Sequence, residues 1–165
     1  MSKYHTFWRR LAAAIIDGII LFPLTFLYNT SNGYFYIGII AESVLSILYF
    51  VVLQGKYGQT LGKKIMSIKI FDITETKPIG FKKAILREFP WIIITMAALV
   101  YLFFILFVYR TDNTNTALEK YNNLSFYISL SWIEIELVTM FTNNKRRALH
   151  DWLAKSVVIK INIAS

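Results

Sequence analysis

Trp91-Ile-Ile-Ile-Thr-Met-Ala-Ala-Leu-Val-Tyr-Leu-Phe-Phe-Ile-Leu-Phe-Val-Tyr109 runs for nineteen residues without a charge. As a helix it is about 28 Å long, close to the hydrocarbon thickness of a bilayer. Backbone polar groups can be hidden in lipid only if they bond within the segment, so the run predicts a transmembrane helix. Three further stretches read the same way: Leu11–Tyr28, Phe35–Leu53 and Leu124–Phe141. The fold class expected is therefore an all-α integral membrane protein built on a four-transmembrane-helix bundle.

The rest of the composition agrees. Of the 165 residues, 56% are hydrophobic and 17% charged, and a soluble domain of that composition would lack polar surface to cover itself. The net charge is +8, but the basic residues lie between apolar runs rather than on one polar domain. That pattern fits the lipid bilayer and its anionic head groups as partners, and no nucleic acid. With no cysteine and only His5 and His150, neither disulfides nor a metal site are expected, and no cofactor or catalytic constellation is evident. The apolar run after Arg9 and Arg10 is long for a signal peptide and lacks a small-residue cleavage site, so it reads as a retained first span.

Charge sets the expected orientation. The segment before the first span, the loop 54–90 and the tail 142–165 together hold 16 of the 18 Lys and Arg residues; only Arg110 and Lys120 lie on the other side. The 16-residue side is expected to be cytoplasmic, with both termini on it, in the cell membrane. Asn32-Gly33 marks the turn between spans one and two. Trp8, Trp91 and Trp152 are expected at the inner interface, and Tyr28, Tyr34, Tyr109 and Tyr121 at the outer one.

The loop and tail carry structure of their own. Met66, Ile68 and Ile70 alternate with polar residues, and Val157, Ile159 and Ile161 repeat the period of two, so the two segments are expected to pair as a small sheet. Asp72–Pro78 would be the turn after the first strand. Phe81, Ile85 and Phe89 are spaced by four, which predicts an amphipathic interfacial helix leading into span three, and Ala148, Leu149, Trp152 and Leu153 predict another in the tail. The whole chain, 1–165, is expected to be one membrane domain.

Three segments carry a family resemblance. They are Phe7-Trp-Arg-Arg-Leu-Ala-Ala-Ala-Ile-Ile-Asp17, Gly58-Gln-Thr-Leu-Gly-Lys-Lys-Ile-Met-Ser-Ile-Lys-Ile-Phe-Asp72, and Arg146-Arg-Ala-Leu-His-Asp-Trp-Leu-Ala-Lys-Ser-Val-Val-Ile159. In this order they resemble the RDD family, named for one arginine and two aspartates. The resemblance maps the arginine onto Arg10 and the aspartates onto Asp17 and Asp151. It implies a membrane protein from a family without a settled activity, associated with transport and, in some members, with cation/proton exchange. Ser67 stands where the family usually has glycine, and Lys155-Ser156 where it has glycine-threonine; both departures fall at strand starts.

Arg10 and Asp17 are seven apart and share a helix face, about 10 Å from one another along the axis. An acid at mid-membrane costs about 2.5–3.5 kcal/mol and so needs a partner or a proton. Arg87, at the foot of span three, is the expected partner of Asp17, with Asp151 and His150 closing the cluster from the tail. Two readings stay open: a gated ion or proton site at Asp17, or a structural lock of buried charges. Glu42, Glu134 and Glu136 also lie inside spans. Glu42 and Glu134 are expected to converge with Asp17 as an ion or proton relay, or to be hydrogen-bonded to Ser43, Ser46, Ser129 or Ser131, or to face a dimer contact. Gly58–Lys64 resembles a phosphate loop only superficially, being one residue short and lacking the Ser or Thr after the lysine. The functional expectations are thus a small-cation transporter coupled to protons, needing a homo-oligomer because four helices rarely enclose a full path, or a non-transporting adaptor or assembly factor for another membrane protein. Neither is an enzyme.

Overall fold

The structure, a computed structural model, describes residues 3–27, 35–108 and 114–161. Helix α1 (Phe7–Leu21) continues as a 3-10 helix (Phe22–Leu27). Helix α2 (Phe35–Tyr57) leads to the short α3 (Leu61–Ile65) and strand β1 (Ile68–Asp72). Helix α4 (Gly80–Phe103) ends in a π-type turn (Phe104–Val108) and is followed by α5 (Thr114–Phe141), α6 (Leu149–Leu153) and β2 (Ser156–Lys160). Four of these helical segments are long and apolar enough to cross a membrane. Their surfaces bear this out: Ile93, Phe103, Phe126 and Val138 are all more than half exposed. Apolar side chains presented on this scale need lipid around them. The Asn29–Tyr34 turn, Tyr28, Tyr34, Tyr109 and Arg110 lie outside the described residues.

The folded core sits at one end of the bundle, called here the terminal face because the segments near both termini meet there. β1 and β2 pair antiparallel, with Ile70 opposite Val158. Ile68, Ile70 and Val158 pack with Ala13 of α1 and with Ile79 and Ala84 beside the start of α4. The sheet therefore closes over the feet of two spans. A chain turn follows β1 as expected, with Glu75 tied to Lys3 at 2.5 Å, to the Tyr4 hydroxyl at 2.6 Å and to Lys145 at 3.1 Å. Ser67 and Lys155 both take left-handed backbone angles (φ 54° and 48°), so the positions where the resemblance calls for glycine are those where a side chain is strained.

Two expectations change. Residues 81–89 do not form a separate interfacial helix; they are the first turns of α4, which runs unbroken past Pro90. Proline sacrifices one backbone bond there, and packing of α4 along α2 and α5 outweighs that loss. Trp91 lines the interior of the bundle rather than its rim, whereas Trp8 and Trp152 are exposed at the terminal face.

Candidate functional site

Asp151 is fully buried at the start of α6. Arg10 of α1 donates to its Oδ2 at 2.7 Å and Arg87 of α4 to its Oδ1 at 2.5 Å. The Ala148 backbone N–H adds a bond to Oδ2 at 3.2 Å and the Ser156 hydroxyl one to Oδ1 at 3.3 Å. Burial alone would raise the Asp151 carboxyl; the charges of Arg87 and Arg10 outweigh it and hold the group well below the usual carboxylate range. One carboxylate thus ties the tail to the feet of two spans.

The network continues through His150. Arg87 also contacts His150 Nε2 at 2.7 Å. A guanidinium has only N–H groups to offer, so Nε2 accepts, and the ring proton sits on Nδ1, where it is donated to Glu136 of α5. Glu136, His150, Arg87, Asp151 and Arg10 therefore form one chain of bonds joining α5, α6, α4 and α1.

Asp17 belongs to a second, separate cluster, and here the expected partner is corrected. Arg87 is committed to Asp151 and His150. Asp17, 1% exposed, instead accepts from Tyr49 of α2 at 2.7 Å, from the Thr60 hydroxyl at 2.5 Å and from the Gly62 backbone N–H at 2.8 Å. The segment after α2 folds back against α1 and brings these donors with it, so Asp17 is not alone among apolar helices. Thr60 does double duty, since its oxygen also accepts from Lys63 N–H and caps α3. Gly62 is required by close approach: a Cβ there would overlap the Ala13 carbonyl oxygen and lie 2.9 Å from the Asp17 carboxyl carbon. Sequence reasoning missed Tyr49, Thr60 and Gly62. The spacing of Thr60 and Gly62 around a helix start was a signal for donors; nothing local pointed to Tyr49.

The expected relay does not assemble. A cavity of about 370 Å³ lies between all four spans, with Glu42 on its wall. On α5 it is lined by Tyr121, Ser125 and Ser129, a face repeating every four residues. Glu134 is five residues beyond Ser129, so it points about 140° away from that face, and it is exposed on the outside of α5. Asp17, held by its own donors, does not line the cavity either. Nor do serines bind these acids: Ser43, Ser129 and Ser131 each donate to a carbonyl one turn back. Glu42 makes no hydrogen bond or ion pair with any described residue, and the Ser125 hydroxyl is buried without a partner. No group of three or more His, Asp or Glu side chains among the described residues is placed to hold a metal ion.

Four spans locked at one face by a buried arginine–aspartate network define a multi-pass membrane protein with a folded, charge-tied terminal face. The family follows from comparison: the model of the RDD family matches residues 4–155, and the chain belongs to that family. No match is found among curated proteins or among solved structures.

Proposed function

We propose that this RDD family protein moves a small cation in exchange for a proton, with Glu42 as the exchanging group, and that it sits in the cell membrane with both termini cytoplasmic. The observation that carries the reading is Glu42: a carboxylate within a span, facing a cavity shared by all four spans and lined by Ser43, Ser46, Thr95, Ser125 and Ser129, with no partner among the described residues. An acid in that setting needs a proton, a cation or water, and hydroxyls with spare oxygen lone pairs can complete the shell of a dehydrated cation. Asp17 and Asp151 are already saturated with donors, so the family charges act as scaffold for this site rather than as the site. The orientation rests on the 16 basic residues of the terminal face.

Proteoliposomes loaded with a pH-sensitive dye and given inward gradients of Li⁺, Na⁺ or K⁺ test the proposal. Proton efflux driven by at least one cation is expected, falling tenfold or more in Glu42→Gln and unchanged in Glu134→Gln. Wild-type protein that moves no protons under any of the three gradients sinks it. A second reading, a non-transporting adaptor, draws on the exposed apolar side chains Leu61, Ile65, Trp152 and Leu153 at the terminal face. It expects a stoichiometric membrane-protein partner in pull-downs from native membranes, lost on Trp152→Ser.

A further inference from the structure

A second cavity, of about 260 Å³, opens between α1 and α5 near the terminal face. α1 packs chiefly on α3, and α5 on α4 and α6. The two helices meet at the rings of Phe7 and Phe141, 5.2 Å apart, and neither packs along the other. The cleft between them has two chemically distinct parts. Arg10, Lys63 and Arg87 line one; Leu11, Ala14, Ile133 and Leu137 line the other. Leu11 and Ile133 are about half exposed, so the apolar part is open to the side of the bundle, where lipid chains would lie.

The cationic part has donors to spare. Arg10 spends Nη1 on Asp151 and Nε on Thr6, but its Nη2 is buried with no partner. The Lys63 ammonium makes no hydrogen bond or ion pair with any described residue; the Phe50 ring lies 5.9 Å away, and the Asp17 and Glu88 carboxylates act on it only through their charge, at longer range. The cavity's single carboxylate, Glu136, is taken by His150 Nδ1–H. Unpaired donors beside an apolar wall that opens sideways match an anion attached to a hydrocarbon chain.

We propose that the cleft between α1 and α5 binds the phosphate of an anionic phospholipid, with Arg10 and Lys63 as its donors and an acyl chain along Leu11, Ala14, Ile133 and Leu137. This site is distinct from the Glu42 cavity and stands whether or not the chain transports ions. Bound phosphate would supply the acceptors that Arg10 Nη2 and Lys63 lack. It would also oppose the shift of Lys63, whose pKa is pulled down to about 8 by burial and by the charge of Arg87.

Amine labelling at pH 7 of purified protein in detergent, quantified separately for Lys63 and for the exposed Lys64, reads this directly. Raising the Lys63 pKa by one unit lowers its free amine about tenfold. Added phosphatidylglycerol is expected to cut Lys63 labelling about tenfold with Lys64 little changed, and native mass spectrometry is expected to retain one phosphatidylglycerol per chain. Leu137→Trp, which fills the cleft, should abolish both effects. Lys63→Gln, which leaves the Asp151 network intact, should lose the retained lipid. Equal protection by phosphatidylcholine overturns the proposal, as does equal protection by the same concentration of inorganic phosphate, which would make the ligand a free anion.

Discussion

Gly62→Ala is the sharpest perturbation the structure offers. The new methyl group would overlap the Ala13 carbonyl oxygen and stand 2.9 Å from both Asp17 Cγ and Oδ1, so α3 must move away from α1. Two of the three bonds to Asp17 go with it, from Gly62 N–H at 2.8 Å and from Thr60 at 2.5 Å. Hydrogen bonds to a charged group are worth about 1.5–3 kcal/mol each, and the carboxylate left behind is buried, so the loss should be about 3–5 kcal/mol. That is a large share of the roughly 5–15 kcal/mol that holds a typical domain. The control is one residue along from Asp17: at Gly18 an added Cβ meets nothing within 4 Å, and α-helical alanine is favoured over glycine there. Thermal unfolding in detergent, followed by tryptophan fluorescence and by monodispersity after heating, should place Gly62→Ala far below wild type and Gly18→Ala level with it or above. The double variant Asp17→Ala, Gly62→Ala should lose less than the two singles added, because both remove the same bonds. A Gly62→Ala protein as stable as wild type would refute the close-packed contact, and full additivity would refute the shared one.

Three other outcomes follow from the terminal face. Arg87→Met leaves the buried Asp151 Oδ1 without its charged donor and should cost about 3–5 kcal/mol, and the same change made on top of Asp151→Leu should cost less, because the pair is already broken there, read again by thermal unfolding. Ser67→Gly and Lys155→Gly each relieve a left-handed backbone and should stabilise by about 1 kcal/mol; a fall in unfolding temperature for both would contradict the strain. The side-chain bonds from Lys3, then from Tyr4, hold Glu75 down from an ordinary value of 4.5 to about 2. A depressed folded-state carboxylate stabilises above its unfolded value and loses that contribution as pH falls through its folded one. Proteolysis of the segment before α1 should therefore be slow at pH 6, accelerate between about pH 4.5 and 2, and be fast and nearly pH-independent across that window in Glu75→Gln.

The spans and the sheet were legible because period and length are carried by side-chain chemistry that each segment holds within itself. The uncharged run 91–109 needs no partner to announce a membrane helix, and the alternation in residues 66–70 and 157–161 needs only one partner. The Asp151 cluster was half legible: Arg10, Arg87, His150 and Asp151 carry charges that burial must pair, so chemistry narrowed the choice. Which aspartate took the arginines was not legible. Asp17 and Asp151 are alike in sequence, and their assignment depends on the 58–62 segment folding back onto α1, a choice made by shape at Gly62 rather than by charge. Glu42 and Glu134 failed for a related reason. Helical geometry gives the angle between residues on one helix, but not the rotation of one helix against another, and α5 turns Ser125 and Ser129 inward instead of Glu134.

That rotation decides where the proposed ion exchange could reside. A group that exchanges a proton for a cation must release one to take the other, so it cannot be saturated with fixed donors. Asp17 accepts three hydrogen bonds and Asp151 two arginines plus two further donors. Freeing either means giving up several bonds worth about 1.5–3 kcal/mol each, repeated at every turnover. Glu42 pays no such cost, because the described residues offer it nothing to release. The two kinds of acid should therefore separate experimentally. Asp17→Asn keeps an acceptor for Gly62 N–H and should lower stability while leaving the flux of the surviving folded protein intact. Glu42→Gln should keep stability and lose flux. The opposite pattern would move the site from Glu42 to the family aspartate and make the charge network the machinery rather than the frame.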